Sequence, residues 1–194
     1  MALARDLTFP MAAAPDGAEG PSNISFGMNE DSFRSFYTRT ARPVKAYLSR
    51  VSGDATLADD LLQETYFRFL RAERPEMDEA GEKNYLYRIA TNLLNDHFRS
   101  AKAHVPMPEI ASGENNGDRI HLRADMAKVF GMLKPRERQL LWLAYVEGSS
   151  HREIAEVAGL KAGSIKLLLF RARKKLAQIL REKGLDYGGF QVKP

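Results

Sequence analysis

Ser150 to Phe170 limits what this chain can fold into more than any other stretch, because it reads as two short helices joined by a tight turn. Ser150 and Glu153 stand three apart as a capping box, in which a hydroxyl and a carboxylate satisfy amide donors left free in a first helical turn. A helix is predicted to begin there. Ile154, Ala158 and Leu160 are its apolar positions, Ala155 is small where two helices would touch, and Gly159 sits at the turn, where a positive φ costs least. Ile165 and Leu169 anchor a second helix, and its continuation, FRARKKL from Phe170 to Leu176, adds four basic side chains. The second helix of such a helix-turn-helix is shaped to enter the major groove, so the pattern points to DNA. A small-residue helical hairpin with a solvated basic face is the plainer alternative.

With 194 residues, 44% hydrophobic and 28% charged, the chain has the composition of one large soluble domain or two small ones, and nothing suggests membrane insertion. The absence of cysteine removes disulfides and thiolate metal sites together, which favours the cytoplasm. Residues 1–28 are rich in Ala, Gly and Pro and are expected to form a disordered arm. Their longest small or apolar stretch, Met11 to Ala14, is too short for a signal-peptide core. Met28 directly precedes the first well-patterned segment, as it would if residues 1–27 were an over-long gene start. A native peptide mapped upstream of Met28 would exclude that.

The net charge of +4 is unevenly divided. Ser149 to Lys183 carries nine Lys or Arg against three Asp or Glu, net +6, whereas Asp59 to Glu82 carries three basic and eight acidic residues, net −5. A basic segment suits phosphates and an acidic one does not, so the two halves should dock on different things. Between them, Ala103 to His121 has two Pro, two Gly, two Asn and no helical periodicity, and reads as a flexible linker. No alternating β-branched runs occur on either side. The expected fold is therefore all-α: two small helical domains, residues 29–102 and 122–183, joined by the 103–121 linker, with the helix-turn-helix in the second and a tail at 184–194.

In the first domain, Leu57 to Leu70 places Leu62, Tyr66 and Phe69 on one face and Asp60, Gln63, Glu64 and Arg68 on another. A solvated charged face explains this pattern unless a basic partner is known. From Asn84, NYLYRIATNLLNDHFRS predicts a second amphipathic helix, with Leu86, Ile89, Ala90, Leu93 and His97 or Phe98 inward and Arg88, Asn92, Asn95, Asp96 and Arg99 outward. That outward face suits nucleic acid: Arg supplies charge and forked donors, Asn can read base edges, and Tyr85 and Tyr87 offer planes for an unpaired base. The competing reading buries both aromatics in the core.

Three segments, LADDLLQETYFRFLRA (57–72), NYLYRIATNLLNDHFRS (84–100) and EIAEVAGLKAGSIKLLLFRARKKL (153–176), together resemble regions 2 and 4 of the extracytoplasmic-function sigma factors, two-domain members of the sigma-70 superfamily. The resemblance spans about Asp31 to Leu180. It implies a bacterial transcription initiation factor, with core RNA polymerase and promoter DNA as partners. The family's D-x-x-Q-E helix binds the β′ clamp coiled coil of polymerase and maps onto Asp60, Gln63 and Glu64. Its next helix recognises and melts the minus-ten element, which implies roles for the loop from Glu73 to Lys83 and for Tyr85, Arg88, Asn92, Asn95 and Arg99. Tyr85 stands where many relatives have Trp, and the loop is unusually acidic at Glu76, Asp78, Glu79 and Glu82.

Region 4 of the family grips the minus-thirty-five element, which implies contacts from Arg152, Lys161, Ser164, Lys166, Arg171, Arg173 and Lys174. Leu167 and Leu168 depart from the family's common Ser and Arg. Leu168 has Ile165 and Ala172 one turn away on either side to pack with. Leu167 is harder to bury, which implies either weak reading of the element or an apolar patch for another protein. The helix before the motif is expected to begin near Pro135, with Leu140, Leu141, Trp142 and Leu143 in the core. Relatives are commonly held inactive by an anti-sigma factor, although no residue here points to one by itself.

An enzyme would have to use Asp59, Asp60, Glu64 and His97, but bundle metal sites place Glu-x-x-His inward, and here Phe67 holds the third position after Glu64. No cofactor or metal is expected. The remaining rival is a helix-turn-helix repressor that acts without polymerase.

Overall fold

Asn29 starts the first helix: its Oδ1 accepts a hydrogen bond from the Ser32 amide at 2.8 Å, and Glu30 and Asp31 follow where carboxylates complement the helix dipole. This helix, α1, runs Glu30–Ser52 and stops where Gly53 takes φ 81°. Asp54 then caps α2 (Ala55–Arg71), accepting from the Thr56 and Leu57 amides at 2.8 and 3.1 Å.

The computed structural model describes residues 28–73, 75–101 and 125–185. The expected arm up to residue 27, the 103–121 linker and the tail beyond residue 185 lie outside the described residues. Helix α3 is Glu79–Ala101, α4 covers 125–131, α5 is Pro135–Tyr145, α6 is His151–Ala158 and α7 is Ala162–Glu182. All regular structure among the described residues is helical, as the absence of strand patterning predicts.

Two expectations need correction here. Helix α3 begins at Glu79 instead of Asn84, because Asp78 Oδ1 accepts the Gly81 amide at 2.8 Å and its carbonyl accepts the Glu82 amide at 2.9 Å. Glu79 to Lys83 therefore belong to the helix, and the loop before it ends at Asp78. Tyr87, offered as a stacking plane, is 2% exposed, its ring centroid 5.3 Å from that of Tyr47. It lies one turn from the buried Ala90 and Thr91, so helical spacing commits it to the core.

Helices α1 to α3 close around stacked Phe36 and Phe69, with ring centroids 5.0 Å apart, and two buried hydroxyl pairs. Thr40 Oγ1 lies 2.7 Å from Tyr66 Oη, and Tyr47 Oη lies 2.7 Å from Thr91 Oγ1. These bonds satisfy polar groups that would be costly to bury alone. Burial still dominates the titration of the phenols. It pushes Tyr66 up to about 12, against the opposing Thr40 hydrogen bond, and raises Tyr47 and Tyr87 further.

In the second group, Pro135 opens α5 and the Lys134 amide donates to Glu137 Oε2 at 2.7 Å. Leu140, Leu141 and Leu143 are buried, as expected, and Trp142 is half-buried. The two groups also pack on each other, α3 against α6 and α1 against α5, so that one apolar cluster runs through both. Nothing in the sequence announced this docking.

Candidate nucleic-acid interface

The helix-turn-helix forms as its caps dictate. Ser150 Oγ accepts the Glu153 amide at 3.3 Å, Glu153 Oε2 accepts the Ser150 amide at 2.7 Å, and Gly159 ends α6 with φ 64°. Ile154, Ala155, Ile165, Leu169 and Ala172 are buried between α6, α7 and their neighbours. The Ser150 side chain foremost, then its backbone amide, then the Asn84 amide hold the Glu153 carboxyl below the usual carboxylate range. A group shifted down stabilises the fold above its unfolded pKa, and the contribution is lost as pH falls through the folded value. Ser150→Ala is therefore expected to cost about 1 kcal/mol near neutrality, read from urea unfolding. The difference from the parent should shrink once the pH drops below the usual carboxylate range. An unchanged midpoint at neutral pH would count against this capping role.

Along α7, Ser164, Leu167, Arg171 and Lys174 recur three or four residues apart and so share one face, opposite buried Ile165, Leu169 and Ala172. Arg171 and Lys174 are exposed, and Lys161 stands exposed at the start of the helix. Lys161 makes no side-chain cap, so first-turn amides are left to solvent or an anion. Ser164 Oγ donates to the Lys161 carbonyl at 2.7 Å. Lys166 is exposed on a flanking face with Arg173, which is half-buried, its Nε buried without a hydrogen bond. Arg152 is exposed on α6 and pairs with Glu156 at 3.1 Å. Leu168 packs against the apolar cluster as expected, whereas Leu167 remains 51% exposed.

On α2, Leu62, Tyr66 and Phe69 are buried, and Asp60 and Gln63 are exposed. Glu64 is half-buried and accepts from Arg68 Nε at 2.6 Å. On α3, Arg88, Asn92 and Arg99 are exposed, with Arg99 3.4 Å from Asp96. Of the His97 or Phe98 alternative, Phe98 turns inward and His97 stays exposed. Tyr85 is half-buried, 6.1 Å from the Phe69 ring. Asn95 is not fully outward: its Oδ1 accepts from Gln139 Nε2 on α5 at 2.9 Å, because the second helical group covers that side of α3. The structure thus gathers a basic face on α7, an Arg and Asn face on α3 and a carboxylate face on α2.

Sequence reasoning missed Glu147. Its side chain is only 6% exposed, 3.0 Å from Lys83 Nζ, and it accepts from Trp142 Nε1 at 3.2 Å. A lone Glu after the end of α5 carries no local signal of burial. Among the described residues no group of three or more His, Cys, Asp or Glu is placed to hold a metal ion. No described helix is long and apolar enough to cross a membrane.

Comparison with known proteins settles the family. A family model for sigma-70 region 2 matches residues 36–104, and one for sigma-70 region 4 matches residues 123–176. The ECF RNA polymerase sigma factor BldN of Streptomyces coelicolor is 31% identical over 77% of this chain and 61% of its own length. This chain belongs to the extracytoplasmic-function group of the sigma-70 family. The sigma factor is also 28% identical to RNA polymerase sigma factor CarQ of Myxococcus xanthus, over 81% of this chain and 94% of the relative. Its fold is shared with the sigma factor RpoE solved in complex with the anti-sigma factor NepR from Bartonella quintana, at TM-score 0.57 and 21% identity, covering 77% of this chain and 96% of that one.

Proposed function

We propose that this sigma factor divides promoter recognition among its three polar faces. The carboxylate face of α2, through Asp60, Gln63 and Glu64, docks on the β′ clamp coiled coil of core polymerase. Arg88, Asn92, Asn95 and Arg99 of α3 contact the minus-ten element as it melts, with the half-buried Tyr85 ring as a stacking plane. Extruding a base costs a few kcal/mol, so pre-placed groups of this kind are needed to offset it. Arg152, Lys161, Ser164, Lys166, Arg171, Arg173 and Lys174 hold the minus-thirty-five element, α7 lying in the major groove.

The capped helix-turn-helix with its basic α7 face supports this reading most strongly. A repressor acting without polymerase is not favoured, because residues 36–104 match sigma-70 region 2. The site of action is the cytoplasm, where polymerase and genome are. An anti-sigma factor, the class of partner bound in the Bartonella quintana structure, is the natural regulator.

Equilibrium binding to core polymerase lacking a specificity subunit tests the assignment. A stable equimolar complex is expected, and no complex would overturn it. For the DNA face, Arg171→Ala should weaken binding about evenly across sequences and lower the slope of log affinity against log salt by about one, as loss of a phosphate contact does. Selective loss at one base pair, read by competition with single-site variants, would instead make Arg171 a base reader.

A further inference from the structure

A leucine left in water in the middle of a basic helix face calls for a physical reason. Leu167 is the sixth residue of α7 and 51% exposed, with Ser164 and Arg171 one turn to either side, Lys174 a further turn on and Lys166 beside it. Its apolar neighbours are all accounted for. Ile165 and Leu169 are buried, Leu168 packs against the apolar cluster, and α7 exposes no other large hydrophobic. A single apolar side chain ringed by cations is too small for a protein-docking patch, which takes on the order of a few hundred Å² of contiguous apolar surface. The charges around it attract a polyanion instead.

Nothing blocks a close approach at this end of α7. Ala162 and Gly163 on the first turn are small and exposed, and the space where a side chain on Gly163 would stand, one turn before Leu167, is open. In a helix-turn-helix the early residues of the second helix meet base edges, while phosphates are held by the cations around them. Leucine has no donor or acceptor, so it is blind to the hydrogen-bonding pattern of those edges. The one methyl group that a base presents in the major groove is the C5-methyl of thymine. Hydration selects the same target. Against a phosphate or an amino edge, Leu167 would strip water from a polar group and return no hydrogen bond, whereas against a methyl both surfaces shed only apolar hydration.

We propose that Leu167 is a specificity-determining residue that reads one thymine of the minus-thirty-five element through its C5-methyl, with Arg171 and Lys174 holding phosphates alongside. The reading also fixes the strand, because a pair of A with T carries its methyl on one side only. Thymine is accepted at that position of that strand, and adenine, guanine and cytosine are not. The proposal rests on the assignment of α7 to the major groove of this element, and the two fail differently.

The test uses holoenzyme assembled from core polymerase and the full-length protein, on duplexes that keep one functional minus-ten element and randomise the minus-thirty-five region. Bound duplexes should be enriched for thymine at one position. Leu167→Ala, an exposed truncation that leaves the fold intact, should erase the enrichment there and keep the preferences elsewhere. In the enriched duplex, deoxyuridine in place of that thymine removes the methyl alone. It should weaken binding by the parent about fourfold, the worth of one buried methyl-sized group, and binding by Leu167→Ala not at all. No thymine whose replacement matters, equal sensitivity in parent and variant, or an even loss across all sequences in Leu167→Ala would each overturn the proposal. An Arg171→Ala holoenzyme that binds as the parent does at every salt concentration would overturn the assignment of α7 and the proposal together. Dependence on Arg171 without dependence on the methyl strikes the proposal alone.

Discussion

Replacing Asp60 and Glu64 together with Ala is expected to weaken binding to core RNA polymerase by at least about a hundredfold. Truncating one partner of a buried, hydrogen-bonded charge pair at an interface commonly costs about 2 to 5 kcal/mol, and about 1.4 kcal/mol is tenfold in affinity. The fold should be unaffected. Asp60 is exposed, and the Glu64 pairing with Arg68 is an i,i+4 contact of partly exposed side chains, worth about 0.3 to 0.5 kcal/mol. Titration of labelled core polymerase, with urea unfolding of the same samples, separates the two effects. Unchanged affinity in the double variant would remove the α2 carboxylates from the polymerase contact.

The second large effect is expected at Ile165, which is fully buried where α7 meets α6 and α5. Ile165→Ala leaves a cavity under the first turns of α7, and such truncations cost about 2 to 5 kcal/mol. For a protein of this size that lowers Tm by about 10 °C. Leu167→Ala, two residues along but 51% exposed, should leave Tm nearly unchanged. Calorimetry on the two variants checks the pair. Equal destabilisation would mean that the buried and outward faces of α7 are wrongly assigned.

Local chemistry was readable from the sequence wherever it decides structure locally. Ser150 with Glu153, Gly159 and Pro135 mark helix ends through backbone donors and dihedral preference, and each stands where those rules put it. The faces of α2 follow from period alone, since one side of that helix is covered and the other is not. Helix α3 defeated the same reasoning in part, because it is covered from two directions. Its contact with α1 and α2 buries one stripe, Tyr87 meeting Tyr47 of α1, and the second helical group covers another, Glu153 of α6 reaching Asn84 and Gln139 of α5 reaching Asn95. Period assigns one apolar face and says nothing of a polar stripe buried by a neighbour far along the chain. Glu147 is the sharpest case, since its burial depends on Lys83, more than sixty residues earlier. The start of α3 was missed for a smaller reason: Asp78 caps through its own side chain, ahead of the apolar pattern that first reveals the helix.

Transcription in vitro from a genomic library, with core polymerase lacking any specificity subunit and with or without this protein, tests the central claim most directly. The account predicts transcripts with defined starts that appear only when the protein is added, and whose templates share sequence at both minus ten and minus thirty-five. Transcription that is no more promoter-specific with the protein than without it would contradict the account.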